Sequence, residues 1–159
     1  MKYILILSFN ILIFYSHGAK ERIYILNDSI SKSNKEAILI LPGFGSNIHG
    51  TKKQADFFFH QGYDIFIPDY IARQSIDKCV ENLDQFITKH ELLNYKKLHV
   101  FSYILGSWTL NTWIHLHPLN NITTIIYDRS PLQERAPFAL NQDIPFLIRL
   151  AAGKIIKDF

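Results

Sequence analysis

The feature that most constrains the fold of this chain is an alternation of short apolar runs with segments of helical periodicity. The apolar runs predict strands over RIYIL (22–26), AILILP (37–42), KKLHVF (96–101) and ITTIIYD (122–128). A further strand is predicted within YDIFIPDY (63–70), where it ends at Pro68. Near-continuous apolar strands separated by helices are buried on both faces of a sheet. The pattern therefore predicts an α/β fold, with a predominantly parallel sheet of about five strands and helices on both faces.

Three helical segments are predicted between these strands, over residues 51–61, 76–87 and 106–117. The second is the clearest, because its apolar residues share one face and Ser75 is a suitable N-cap; they are Ile76, Cys79, Val80, Leu83, Phe86 and Ile87. Cys79 is the only cysteine, so no internal disulfide is possible. Its place on the apolar face predicts a buried structural thiol.

Length and composition indicate one globular domain. The chain has 159 residues, of which 48% are hydrophobic and 19% charged, below the roughly 25% charged of an average domain. The net charge is +3 and the basic residues are scattered, so we expect no nucleic-acid partner. The pairs Asp56 with His60 and His115 with His117 supply too few ligands for a metal site, so no metal or cofactor is predicted.

The first 19 residues form a separate segment. They comprise Lys2, a mostly apolar run over residues 3–15, and small residues at positions 16 and 18. This layout is typical of a secretory signal peptide and predicts export, to a periplasm or the exterior. The alternative is an uncleaved membrane anchor over residues 3–19. A single domain is then expected over residues 20–159.

The stretch HVFSYILGSW, residues 99–108, joins the fourth predicted strand to the third helix through a tight turn. Small residues stand two positions before and after its tip, Ser102 and Gly106, which lets the strand and the helix pass closely. Together with ILILPGFGSN and FFHQGYDIFIPDY upstream, this stretch resembles the α/β-hydrolase proteins, which include esterases and lipases. The resemblance covers about residues 36–130 and implies that the turn is a nucleophile elbow.

The resemblance places the nucleophile at position 104, which is Ile104 in this chain. Isoleucine has no hydroxyl or thiol, so it cannot attack a carbonyl group. A β-branched residue is also an outlier at the positive φ that an elbow imposes on its tip. We therefore expect a relaxed or only mildly strained turn at Ile104, without a positive φ. Ser102 and Ser107 are the alternative nucleophiles, although close packing and a helix start account better for their positions.

The resemblance also implies an acid and then a histidine after the nucleophile. All seven histidines precede Pro118, while the acidic candidates after the elbow include Asp128, Glu134 and Asp143. An acid without a following histidine has no base to orient. We therefore expect an incomplete triad on a truncated α/β-hydrolase-like fold.

Backbone amides and two arginines are the candidate anion-binding groups. The resemblance assigns oxyanion-hole-like amides to Phe44 and Leu105, and backbone donors do not depend on the side chain that accompanies them. Arg129 and Arg135, after the fifth strand, are able to hold a carboxylate or phosphate. Equally, they are able to pair with the neighbouring carboxylates of the chain.

The last segment, DIPFLIRLAAGKIIKDF, predicts an amphipathic helix. Its apolar face is formed by Ile144, Leu147, Ile148, Ala151 and Ile155. Such a face packs over an open sheet edge, or contacts a partner or a membrane surface. A membrane-surface contact through residues 1–19 is the other possibility of this kind.

Three functions are compatible with these residues. The first is an exported, catalytically inactive pseudoenzyme that binds a small ligand or a protein, favoured because both Ile104 and the histidine distribution argue against a triad. The second is a truncated enzyme remnant without function. The third is a carboxylic-ester hydrolase with an unconventional nucleophile, since a fold alone does not exclude chemistry.

Overall fold

The computed structural model describes residues 21–43, 48–72, 75–118 and 120–130. The N-terminal segment 1–19, the loop position Phe44 and the segment from residue 131 onward fall outside these ranges. The expectations for an export signal, for an amide at Phe44, for Arg135 and for a C-terminal helix therefore stay predictions.

Strands and helices alternate along the described chain. They are β1 (Arg22–Tyr24), β2 (Glu36–Leu41), α1 (Ile48–His60), β3 (Asp64–Ile67), α2 (Ile76–Lys89), β4 (Lys97–Tyr103), α3 (Leu105–Leu116) and β5 (Ile122–Asp128). The strand order is β1-β3-β2-β4-β5, with β1 antiparallel to β3 and every other neighbouring pair parallel. The predicted α/β class with a mainly parallel, five-stranded sheet is confirmed.

Helices cover both faces of the sheet, as predicted. Alternate residues of β2 point to opposite sides, so Leu39 and Leu41 join one apolar cluster while Ile38 and Ile40 join another. The first cluster contains the buried residues of α2 and α3, and the second contains Ala55 of α1. The edge strand β5 is less covered than the pattern implied, because several of its side chains are exposed.

Helix α2 begins as its sequence predicts. The Ser75 hydroxyl accepts a hydrogen bond from the backbone N–H of Lys78 at 3.2 Å, so the serine is an N-cap. Cys79 is fully buried, and its sulfur accepts a hydrogen bond from the backbone N–H of Ala72 at 3.0 Å. The structural role predicted for this thiol agrees with its surroundings. None of the helices within the described ranges is long and apolar enough to cross a membrane.

A buried carboxylate, which was not predicted, ties the amino ends of the strands together. Asp64 is fully buried at the start of β3, forms an ion pair with Lys35, and accepts a hydrogen bond from the Tyr95 hydroxyl at 2.8 Å. It also accepts one at 3.0 Å from the backbone N–H of Leu26. This bond lies beyond the last residue of β1, which ends at Tyr24 and not at Leu26 as expected. Burial, together with the bond to Asp64, raises the pKa of Tyr95 above its usual range.

At the opposite edge of the sheet, β4 turns into α3 with very little space between them. A Cβ atom placed on Gly106 would lie 2.8 Å from the Leu41 carbonyl oxygen and 2.7 Å from the Tyr70 hydroxyl oxygen. Real Cβ atoms essentially never approach backbone oxygens so closely. Glycine at position 106 is therefore required for α3 to cross the sheet at this distance.

The expectation of a relaxed turn at Ile104 is wrong. Ile104 has φ 45° and ψ −108°, a conformation that belongs to the glycine-favoured side of backbone space. Holding a β-branched residue there costs about 1–3 kcal/mol. The apolar residues that α3 buries are worth about 1.5–3 kcal/mol each, and they include Leu110 and Trp113. Packing of the helix therefore outweighs the local preference of the side chain.

The strain at Ile104 predicts an unusual order of stability for two variants. At ordinary positions alanine is more stable than glycine by about 0.5–1 kcal/mol. For Ile104→Gly and Ile104→Ala we expect the reverse, with the glycine variant more stable by about 1 kcal/mol in urea unfolding. The matched control is the same pair at Ile126, an exposed residue of β5, where the alanine variant is the more stable. An alanine variant at least as stable as the glycine variant at position 104 would contradict the strain.

Candidate functional site

The carboxyl ends of β2, β4 and β5 meet at one edge of the sheet. Leu41 of β2 is opposite Ser102 of β4, and Ser102 is in turn opposite Tyr127 of β5. In open α/β sheets, ligands bind beyond this edge of the strands. The turn at Ile104, the loop that begins with Pro42 and the turn after Asp128 are thus brought together.

Ile104 stands at the tip of this edge and is partly open to solvent. The residue is 37% exposed, and Gly43, which follows β2, lies close to it. A Cβ atom on Gly43 would lie 3.1 Å from the Tyr103 carbonyl oxygen and 3.2 Å from the Ile104 Cβ. The absence of a side chain at Gly43 therefore lets this loop rest directly against the elbow. The position that the resemblance gives to a nucleophile is occupied by an accessible aliphatic side chain.

Tyr70 connects three parts of the site and was not predicted to belong to it. Its hydroxyl donates a hydrogen bond to the Pro42 carbonyl oxygen and lies beside Gly106. The side chain is buried, which raises the pKa of Tyr70 well above its usual range, so the hydroxyl remains a donor. The bond spans 28 residues of sequence. The position of Tyr70, just after an apolar strand, indicated that it lies at this edge of the sheet. No local sequence pattern predicts that its hydroxyl bonds to Pro42.

Tyr103, the residue before the tip, connects the elbow to α1. Its hydroxyl donates to the side-chain oxygen of Gln54 at 2.9 Å. Partial burial is the main cause that raises the pKa of Tyr103 above its ordinary value. This bond ties α1, the helix that follows β2, to the carboxyl end of β4.

The two serines nearest to Ile104 are not presented to solvent. Ser102 and Ser107 are both fully buried, and the Ser107 hydroxyl donates to the Ser102 hydroxyl at 3.1 Å. The Ser107 hydroxyl also contacts the hydroxyl of Ser130, which follows β5. A substrate therefore meets the side chain of Ile104 before it meets either buried serine.

The turn after β5 contains one of the two predicted anion-binding arginines. Arg129 is 78% exposed on its side chain and pairs with the carboxylate of Asp128 at 3.3 Å. This contact matches the structural alternative, in which the arginine pairs with a neighbouring carboxylate, and exposed pairs of this kind contribute little to stability. Arg135 lies outside the described ranges, so the structure does not bring the two arginines together.

Three described histidines, His60, His99 and His117, bond to groups away from the elbow. His60 bonds to the Asp56 carbonyl oxygen at 2.6 Å, and His99 approaches Glu36 at 3.3 Å. His117 bonds to the Trp113 carbonyl oxygen at 2.9 Å. Within the described ranges, no three His, Cys, Asp or Glu side chains are grouped as a metal site would require.

Comparison with known proteins gives similarity in structure alone. No protein-family model matches this sequence, and no curated protein matches it. An α/β-hydrolase enzyme from the metagenome of lagoon sediments of Mar Chica, Morocco, superposes with a TM-score of 0.55 at 19% identity, over 90% of this chain and 64% of its own.

Two further solved structures are similar over less of their length. An esterase from Exiguobacterium antarcticum has a TM-score of 0.57 at 14% identity, over 77% of this chain and 50% of its own. A bromoperoxidase from Bacillus anthracis has a TM-score of 0.56 at 12% identity, over 70% of this chain and 40% of its own. This chain therefore spans between 40% and 64% of the length of these structures. At these identities the likeness establishes the fold, and the chain has an α/β-hydrolase-like fold.

Proposed function

We propose that this protein uses the α/β-hydrolase-like fold to bind a ligand and not to hydrolyse one. The observation that carries the proposal is Ile104, an aliphatic residue at the tip of an elbow whose strained backbone is retained. An aliphatic side chain forms no covalent intermediate and has no hydroxyl or thiol proton that a base could remove. The elbow of this chain therefore has the backbone conformation of a nucleophile elbow but no nucleophilic side chain at its tip.

The two nearby serines support a binding role. A nucleophilic serine must reach the substrate and be hydrogen-bonded to a base. Ser102 and Ser107 are fully buried, and their described hydroxyl bonds go to one another and to Ser130. None of these partners is a base that could remove a proton at neutral pH. Both serines therefore act as packing and bridging groups under the elbow.

The groups that remain at the tip are suited to a small amphipathic molecule. Leu105 is the first residue of α3, so its backbone N–H is among those that lack an acceptor within the helix. The exposed aliphatic surface of Ile104 lies next to it in the chain. A short apolar tail that carries a carboxylate or an ester carbonyl would match this combination of a donor with an apolar contact.

Residues 1–19 are proposed to direct export. One basic residue, an apolar run and small residues support a cleaved signal peptide, which would release the protein into a periplasm or the exterior. An anchor over residues 3–19 would instead hold the domain at a membrane surface. Mass spectrometry of the mature protein distinguishes the two, since cleavage removes the first residues.

The binding role predicts that the protein does not hydrolyse activated esters. Purified protein should release p-nitrophenol from p-nitrophenyl acetate and butyrate no faster than the Ile104→Ala variant, because residue 104 supplies no nucleophile. The proposal would be contradicted if the protein hydrolysed these esters, lost that activity in Ser102→Ala or Ser107→Ala, and kept it in Thr112→Val. Thr112 is the matched control because its hydroxyl bonds to the Trp108 carbonyl within the same helix. That outcome would support an ester hydrolase with an unconventional nucleophile.

A second prediction concerns binding at the tip. Hexanoate at millimolar concentration should raise the melting temperature of the protein, because a ligand that binds only the folded state stabilises it. Ile104→Asp should abolish the increase, since it replaces an apolar contact with a charge that repels the carboxylate. Leu116→Asp, at an exposed position at the other end of α3, should preserve the increase. An equal increase in both variants would place the binding elsewhere, and a chain without a cooperative melt would favour a non-functional remnant.

A further inference from the structure

The strained turn at Ile104 is bracketed by three serine hydroxyls. Ser102 precedes the tip by two residues, Ser107 follows it by three, and Ser130 reaches the pair from the turn after β5. These three residues are called here the serine clasp. The Ser107 hydroxyl contacts both of the others, so it is the central member of the group.

The bonds of the clasp join the strand and the helix that leave the elbow. The hydrogen bond from Ser107 to Ser102, at 3.1 Å, joins the first turn of α3 to the end of β4. The Ser107 backbone N–H also bonds to the Ile104 carbonyl oxygen at 3.1 Å, which fixes the first residues of α3 under the tip. Both side chains are buried, where a lost hydrogen bond is not replaced by water.

Ser130 extends the clasp to the neighbouring strand. Its hydroxyl lies 3.3 Å from the Ser102 carbonyl oxygen and 3.2 Å from the Asp128 carbonyl oxygen, as well as next to the Ser107 hydroxyl. The preceding residue, Arg129, has a φ of 50°, so this turn also takes a conformation that non-glycine residues seldom adopt. The turns at Ile104 and Arg129 both have an unfavourable positive φ, and the Ser130 hydroxyl links them.

Each hydroxyl has a single proton, and this limits how the clasp is bonded. Because the Ser107 proton is donated to Ser102, Ser130 is the donor in the bond between Ser107 and Ser130. This bond connects the turn after β5 to the elbow.

We propose that the serine clasp holds the elbow in its strained form, and that opening the clasp lets the turn at Ile104 relax. Strained backbone persists only where the surroundings determine it more strongly than the residue itself. The clasp supplies such surroundings from both sides of the tip and from the adjacent strand. Displacement of the chain after β5 would then move the first residues of α3. This coupling holds whether or not a ligand binds at Ile104.

The test uses the order of stability of Ile104→Gly and Ile104→Ala as the readout of strain. With an intact clasp, the glycine variant has the higher urea midpoint. In the Ser107→Ala background, we expect the order to return to the ordinary one, with the alanine variant equal or higher, because the turn is no longer held. In the Thr112→Val background, which removes a hydroxyl of α3 outside the clasp, the glycine variant should stay higher.

If the Ser107→Ala protein does not unfold cooperatively, Ile104→Gly and Ile104→Ala are compared in the Ser130→Ala background instead. This background is milder because Ser130 is less buried. The same return to the ordinary order is expected there. The proposal is overturned if the glycine variant keeps the higher midpoint in both serine-to-alanine backgrounds. It is equally overturned if the Thr112→Val background changes the order as much as the clasp variants do.

Discussion

The close crossing of β4 and α3 is the constraint on which the carboxyl edge of the sheet depends. Because Gly106 has no side chain, the helix lies against the Leu41 carbonyl and the Tyr70 hydroxyl. A helix at that distance follows the strand through a sharp turn, in which Ile104 has a positive φ. Gly43 and Tyr70 then bring the loop after β2 against the same turn. Close steric contacts and the hydrogen bond of Tyr70 thus bring these segments together at the elbow.

The periodicity of the sequence was sufficient for the architecture but not for the elbow. Near-continuous apolar runs predicted the strands, and a clear amphipathic stripe predicted α2 with its Ser75 cap, because these depend on neighbours in sequence. The relaxed turn expected at Ile104 was wrong, because a local steric preference of a few kcal/mol competes with the burial of a whole helix face. The identity of the residue at position 104 does not show which of these two energies is larger.

Long-range polar contacts were also missed, and their physical basis explains why. Asp64 bonds to Leu26 across 38 residues, while Tyr70 bonds to Pro42 and Ser130 to Ser102 across 28 residues each. These pairs form because strand pairing in the sheet places distant segments side by side, and hydrophobic patterning carries no information about partners. A buried acid at the start of an apolar strand was a visible signal, since such a charge must be paired.

The α/β-hydrolase-like fold does not by itself assign a reaction to this chain, because function resides in the site that a fold presents. The site presented here combines a strained elbow with an aliphatic tip and buried serines. The most direct measurement of its chemistry is intact-protein mass spectrometry after incubation with a fluorophosphonate, which labels activated serines covalently. The account predicts an unchanged mass. A stoichiometric adduct mapped to Ser102, Ser107 or Ser130 would contradict it.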